Sequence, residues 1–102
     1  MSRIVQKFGG TSVADVQRIK DAAKRTEYEY NNGNQIVVVV SAMAGVTDNL
    51  IGLTESVGKL LDPREYDVVV SSGEQTNAGL MALALQDLGI RARSLLGWQI
   101  PI

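Results

Sequence analysis

Ile36-Val37-Val38-Val39-Val40-Ser41-Ala42-Met43-Ala44-Gly45 joins an unbroken β-branched run to a small-residue loop. Five β-branched residues in succession favour extended backbone. With no polar alternation among them, residues 36–40 read as a strand buried on both faces, as in a parallel sheet covered by helices. Upstream, residues 3–8 read as a first strand with Ile4 and Val5 at its apolar centre. Between the two, Val13, Val16, Ile19, Ala23 and Tyr30 recur at helical spacing, and Arg18, Asp21, Lys24 and Arg25 form a solvated opposite face. Asn31-Asn32-Gly33-Asn34 ends that helix, with Gly33 suited to a left-handed closing residue. Strand, helix and strand within the first 40 residues make a βαβ unit, whose crossover is expected to be right-handed.

Open α/β sheets place ligands at the carboxyl ends of their strands. Residues 41–45 leave that edge after the second strand, and Lys7-Phe8-Gly9-Gly10-Thr11-Ser12 leaves it after the first. At such a junction backbone N–H groups are free and the helix dipole favours negative charge. Gly9 and Gly10 allow close approach to the backbone, and Lys7 adds a mobile charge suited to phosphate. On residue types alone two readings stay open: a phosphate-handling turn, or an ordinary strand-to-helix turn beside a solvated lysine. The common nucleotide fingerprints do not decide it. There is no G-x-G-x-x-G, and Gly58-Lys59 is followed by Leu60, with Leu53 where a first P-loop glycine would stand. Ser12 is placed to cap the first helix, with Asp15 three residues on in the capping-box arrangement.

Thr47-Asp48 starts a second helix with Leu50, Leu53, Val57, Leu60 and Leu61 as its apolar stripe. Asp62-Pro63-Arg64-Glu65 is a break. Val68-Val69-Val70 has strand propensity. Ala78, Met81, Ala84, Leu85 and Leu88 mark a further helix ending at Gly89, with Met81 read as core. Residues 90–96 alternate, with Arg91 and Arg93 on one side and Ile90, Ala92 and Ser94 on the other, and read as a third strand.

The chain of 102 residues suffices for one small domain. Ten Lys and Arg against eleven Asp and Glu leave a net charge of -1, and the basic residues are scattered, which disfavours nucleic-acid or membrane-surface partners. Cysteine and histidine are both absent. That excludes disulfides, Cys/His zinc sites and a Ser-His-Asp triad. Any catalysis must use Lys, carboxylates, hydroxyls and backbone amides. The longest strongly apolar run is residues 36–40, far short of a membrane span. The N-terminus lacks the apolar region of a signal peptide, so a cytoplasmic location is expected.

The spelling of these stretches adds a resemblance. Lys7-Phe8-Gly9-Gly10-Thr11-Ser12-Val13-Ala14-Asp15 is similar to the opening of the aspartate kinases, within the amino acid kinase family. Residues 37–48 resemble that family's second glycine-bearing loop. Ser71-Ser72-Gly73-Glu74-Gln75 resembles its third block, and residues 92–99 resemble the strand that follows. Four blocks in order cover nearly the whole chain. One departure is Thr76-Asn77, where the family's pattern has an apolar residue and a hydroxyl.

The resemblance implies a three-layer α/β/α sandwich with a mainly parallel central sheet, of carbamate-kinase-like type. Residues 1–102 would form the N-terminal, aspartate-binding part of the catalytic domain. The ATP-binding half and the regulatory ACT domains would lie elsewhere. It also implies a helix over residues 66–72, running to a kink near Gly73, against the strand propensity of the valines. The implied reaction moves the γ-phosphoryl group of ATP, with Mg2+, to the side-chain carboxylate of L-aspartate, opening lysine, threonine and methionine synthesis. Lys7 would stabilise the transferring phosphoryl group. Gly9 and Gly10 would offer N–H groups to the phosphates, with Ser12 close by. Ser41 and Thr47 would hold the aspartate carboxylates, Glu74 would pair with its ammonium group, and no residue here is assigned to the metal. Plainer roles stand beside these: Ser41 as a strand terminator, Thr47 as an N-cap, Glu74 as a solvated residue at a helix start. On this reading the segment alone is inactive, exposes apolar surface and sheet edge, and self-associates, and the parent is a homo-oligomer, with fusion to homoserine dehydrogenase left open. The rivals are an acetylglutamate or glutamate kinase type of enzyme, and a complete, non-catalytic small α/β binding module, which would show a closed surface.

Overall fold

Strands β1 (Arg3–Phe8) and β2 (Gln35–Val40) pair in parallel, from Arg3 opposite Gln35 to Phe8 opposite Val40. Helix α1 (Val16–Asn31) makes the crossover between them. The computed structural model describes residues 2–58 and 62–96. Leu60 and Leu61 of the expected α2 stripe, and residues 97–99 of the fourth block, lie outside them. Three more helices follow: α2 (Val46–Val57), α3 (Pro63–Val70) and α4 (Ser72–Asp87).

The core lies on one face of the sheet. Phe8, Val13, Ile19, Ala22, Ala23, Met81, Leu85 and Ile90 are buried together, with Val38 and Val40 packed against them from β2. Alternation along the strands decides which residues face α1 and α4. Ile4, Gln6 and Phe8 of β1 and Ile36, Val38 and Val40 of β2 turn toward the helices. Gln6 is polar on this covered side, and the Thr26 hydroxyl donates to its Oε1 at 2.8 Å. The opposite face is open: Val5 is 69% exposed, Val37 60% and Val39 44%. The expectation that residues 36–40 are buried on both faces is therefore corrected. β-branching makes the strand, but burial depends on what lies on each face, and among the described residues only one face is covered.

The first helix starts later than its capping-box reading. Ser12 is not its cap: the Ser12 amide donates to the Gly9 carbonyl at 3.0 Å, which holds residues 9–12 in a turn. Val13 follows, fully buried. Asp15 is extended, with φ -150° and ψ 175°, and its Oδ1 accepts from the Arg18 amide at 2.8 Å. The carboxylate counted as the box's partner is the N-cap itself.

Residues 63–70 are helical, as the resemblance implied. Asp62 caps α3 by accepting from the Arg64 amide at 2.8 Å, and Pro63 sits in the first turn, where its missing N–H costs nothing. These start signals override the strand propensity of the valines. The kink expected near Gly73 is there: the break falls at Ser71, and Gly73 is the second residue of α4. Residues 91–96 form no strand. Alternation marks which side chains face inward, but a strand also needs a ladder, which alternation does not specify. The alternation is still used: Ile90 is buried, Ala92 packs on the core, and Arg91 and Arg93 are exposed. The Ile90 amide donates to the Leu85 carbonyl at 3.1 Å, which closes α4. No helix among the described residues is long and apolar enough to cross a membrane.

Candidate functional site

Three segments meet at the carboxyl edge of the two strands. The first turn and the second loop touch through Gly10, where a Cβ would stand 3.1 Å from the Ala42 carbonyl oxygen and 3.5 Å from the Ala44 nitrogen. A side chain there would push these backbones apart by a few tenths of an ångström, so glycine suits the approach. The start of α4 joins them through Gly73. A Cβ there would lie 2.9 Å from Val46 Cγ1 and 3.0 Å from Ala42 Cβ. Gly73 is thus a packing glycine, which is why it sits within a helix rather than at its break.

Asn77 ties all three together. It is 1% exposed. Its Nδ2 donates to the Ser41 carbonyl at 2.8 Å and to the Val13 carbonyl at 3.4 Å. The Ser41 amide donates to the Phe8 carbonyl at 3.2 Å, one step beyond the β1–β2 ladder. Ser41 is therefore held through both backbone groups, while its hydroxyl stays unbonded among the described residues. The sequence reading passed over Asn77 as a mere departure from a pattern. A signal for it existed: Gly73, Asn77, Met81 and Leu85 follow one another at four-residue spacing along the buried side of α4, so a polar amide sits in an otherwise apolar or small stripe.

The other sequence-predicted residues take up positions around this junction. Lys7 is the penultimate residue of β1, opposite Val39, and is exposed on the open face of the sheet with Val5 and Val37. Gly9 has open space where a Cβ would be, so nothing in the chain itself demands glycine there. Ser12 is exposed and takes part in the turn; it borders a cleft of about 320 Å³ with Thr11, Arg18, Asp21 and Arg25. That cleft does not include Lys7, Ser41, Thr47 or Glu74. Thr47 is the second residue of α2, whose N-cap is Gly45, so Thr47 is not a cap. Glu74 lies in the first turn of α4 and is exposed. The side chains of Lys7, Thr47 and Glu74 make no hydrogen bond or ion pair with other described residues.

Chemically, this edge carries a cation, hydroxyls, an acid and the amino end of a helix. α2 begins without any side chain bonded to its first-turn amides, leaving donors and a positive dipole end for an anion. Glu74 offers the opposite sign for a cationic group. No three acidic side chains come together as a metal site among the described residues.

A sequence model of the amino acid kinase family matches residues 2–102. The chain is 53% identical over 105 aligned residues to the aspartokinase of Rickettsia prowazekii (strain Madrid E), covering 100% of the chain and 24% of that protein. It is 46% identical over 102 residues to aspartokinase 2 of Bacillus subtilis (strain 168), covering 100% of the chain and 25% of that protein. In three dimensions it is similar to the crystal structure of aspartate kinase from Synechocystis, with a TM-score of 0.79 and 46% identity over 82% of this chain and 14% of that one. The chain thus spans about a quarter of the length of the curated relatives it matches. The family match across the length of the chain, together with the shared fold, places the chain in the amino acid kinase family.

Proposed function

We propose that the protein is an ATP-dependent aspartate kinase, and that this chain carries its aspartate side and part of its phosphate cradle. The observation that supports this best is the meeting of Lys7's strand, the Ser41 loop and the Glu74 helix at one sheet edge, through Gly10, Gly73 and Asn77. Free L-aspartate presents two carboxylates and one ammonium group, so its site needs donors for two anions and an acceptor for one cation. Here Ser41, Thr47 and the α2 amino end serve the carboxylates, and Glu74 serves the ammonium group.

The β-carboxylate of aspartate is ionised at neutral pH, so it attacks the γ-phosphorus without a general base. A carboxylate O–P bond forms, the bond from phosphorus to the β-phosphate oxygen breaks, and ADP leaves with that electron pair. The product is 4-phospho-L-aspartate. The obstacle is anion repulsion, which positioning and positive charge overcome. Lys7 supplies that charge, and the amides of residues 9–12 suit the phosphate oxygens. Mg2+ carried by ATP would neutralise phosphate charge. The adenine and metal partners are proposed to lie outside this segment, and so transfer by this segment alone is not expected. The same reading makes the parent a cytoplasmic homo-oligomer in amino-acid biosynthesis.

Calorimetric titration of L-aspartate into the chain tests the proposal, with Glu74→Gln as the control. Saturable binding that the substitution removes supports the assignment. Binding unchanged by it sinks the role of Glu74. ATP-dependent formation of an acyl phosphate, trapped as the hydroxamate, tests the reaction in the full-length protein. The segment alone should give no hydroxamate, and turnover by it would overturn that part.

A further inference from the structure

Asn77 holds a buried polar group that packing alone does not explain. Its Oδ1 is buried and without a hydrogen-bond partner among the described residues. A buried unsatisfied acceptor costs stability, and an apolar side chain of the same branched shape would avoid it. The amide orientation is set by its surroundings. Both neighbours of Nδ2 are carbonyl oxygens, of Ser41 and Val13, so only the NH2 group can face them. The hydrogens of that single group reach two different loops. A hydroxyl, which the family's pattern places here, has one hydrogen and can serve only one loop at a time.

We propose that Asn77 is a positioning residue: its amide locks α4 to both loops and thereby sets the separation of Glu74 from Ser41. Glu74 lies one turn before Asn77 on the same helix, beside Gly73, which rests on Ala42 and Val46. Any slide of α4 along β2 is resisted by the Asn77 bonds and by the absence of room at Gly73. The effect on substrate rests on the aspartate reading above; the locking of the loops does not.

The test uses Asn77→Leu, which keeps the branched shape with added bulk and removes both donors, and Asn77→Ser, which keeps one. Backbone amide exchange is measured in residues 11–13 and 42–44 and, as reference, in residues 19–23 of α1. Loss of the lock should speed exchange in both loops by about tenfold relative to α1 in Asn77→Leu, with Asn77→Ser between. The dissociation constant for L-aspartate should rise by about tenfold in Asn77→Leu and by less in Asn77→Ser. Equal acceleration in α1 means general destabilisation and overturns the proposal, as do unchanged loops, or loosened loops with unchanged aspartate affinity. Should Asn77→Leu fail to fold, the same comparison in Asn77→Ser decides. If the unsubstituted chain binds no aspartate, the aspartate reading fails, and loop exchange alone upholds or overturns the lock.

Discussion

Single side chains at the sheet edge divide into those that build it and those left free to act. Lys7 is exposed and bonded to nothing among the described residues. Lys7→Met should therefore leave the urea midpoint of the chain nearly unchanged. If the proposed kinase reading holds, the same substitution in the full-length protein should lower kcat by about 10²–10³, the usual cost of removing one transition-state charge donor; a kcat within a few fold of the original would remove Lys7 from the proposed mechanism. The glycines separate in the same way. Gly73→Ala forces a methyl against Val46 and Ala42 and should destabilise by about 1–3 kcal/mol. Gly9→Ala meets open space at an ordinary φ and should stay within about 0.5 kcal/mol. Chemical denaturation of the two variants checks the pair, and equal losses would mean that Gly73's neighbours yield freely.

At the scale of elements, the beginnings of the helices carry the information. α1 is capped by Asp15, whose carboxylate receives the Arg18 amide. Asp15→Ala should cost about 0.5–2 kcal/mol, whereas Ser12→Ala, which removes no cap, should cost far less. If thermal or urea melts rank them the other way, Ser12 is the true cap. α2 shows what an element lacks when its partner layer is thin. Of its apolar stripe Leu53 is 60% and Val57 89% exposed, and its one buried residue is Thr54. The spacing of Leu50, Leu53 and Val57 specifies only that a face is apolar, not that anything covers it.

Among the described residues the sheet has one covered face and one open face. α1 and α4 seal one face of the β1–β2 sheet, while Val5, Val37 and Val39 remain in water on the other. A complete small binding module would close such a surface, so the open face weighs against that rival. Apolar surface of this kind favours self-association. Sedimentation of the chain should show concentration-dependent association, and Val37→Lys together with Val39→Lys should abolish it. Association that persists in the double variant would place the contact elsewhere, for instance on the groove between α1 and α4 lined by Val16, Leu80 and Leu83.

The βαβ unit, the loop-bearing edge and a helix through residues 78–88 were legible in the sequence, because local propensity, capping and periodicity act through near neighbours. Residue types drew attention to Lys7, Gly9, Gly10 and Ser12, and the resemblance alone to Thr47 and Glu74 and to the role of Ser41. The folded chain was needed to show that, among the described residues, 36–40 are covered on one face, that residues 91–96 form no ladder, that Gly10 and Gly73 are packing glycines, and that Asn77 joins three segments. Each of these depends on what lies across space from a residue, 36 positions away for Asn77 and Ser41 and 64 for Asn77 and Val13. Periodicity along the chain carries no such information.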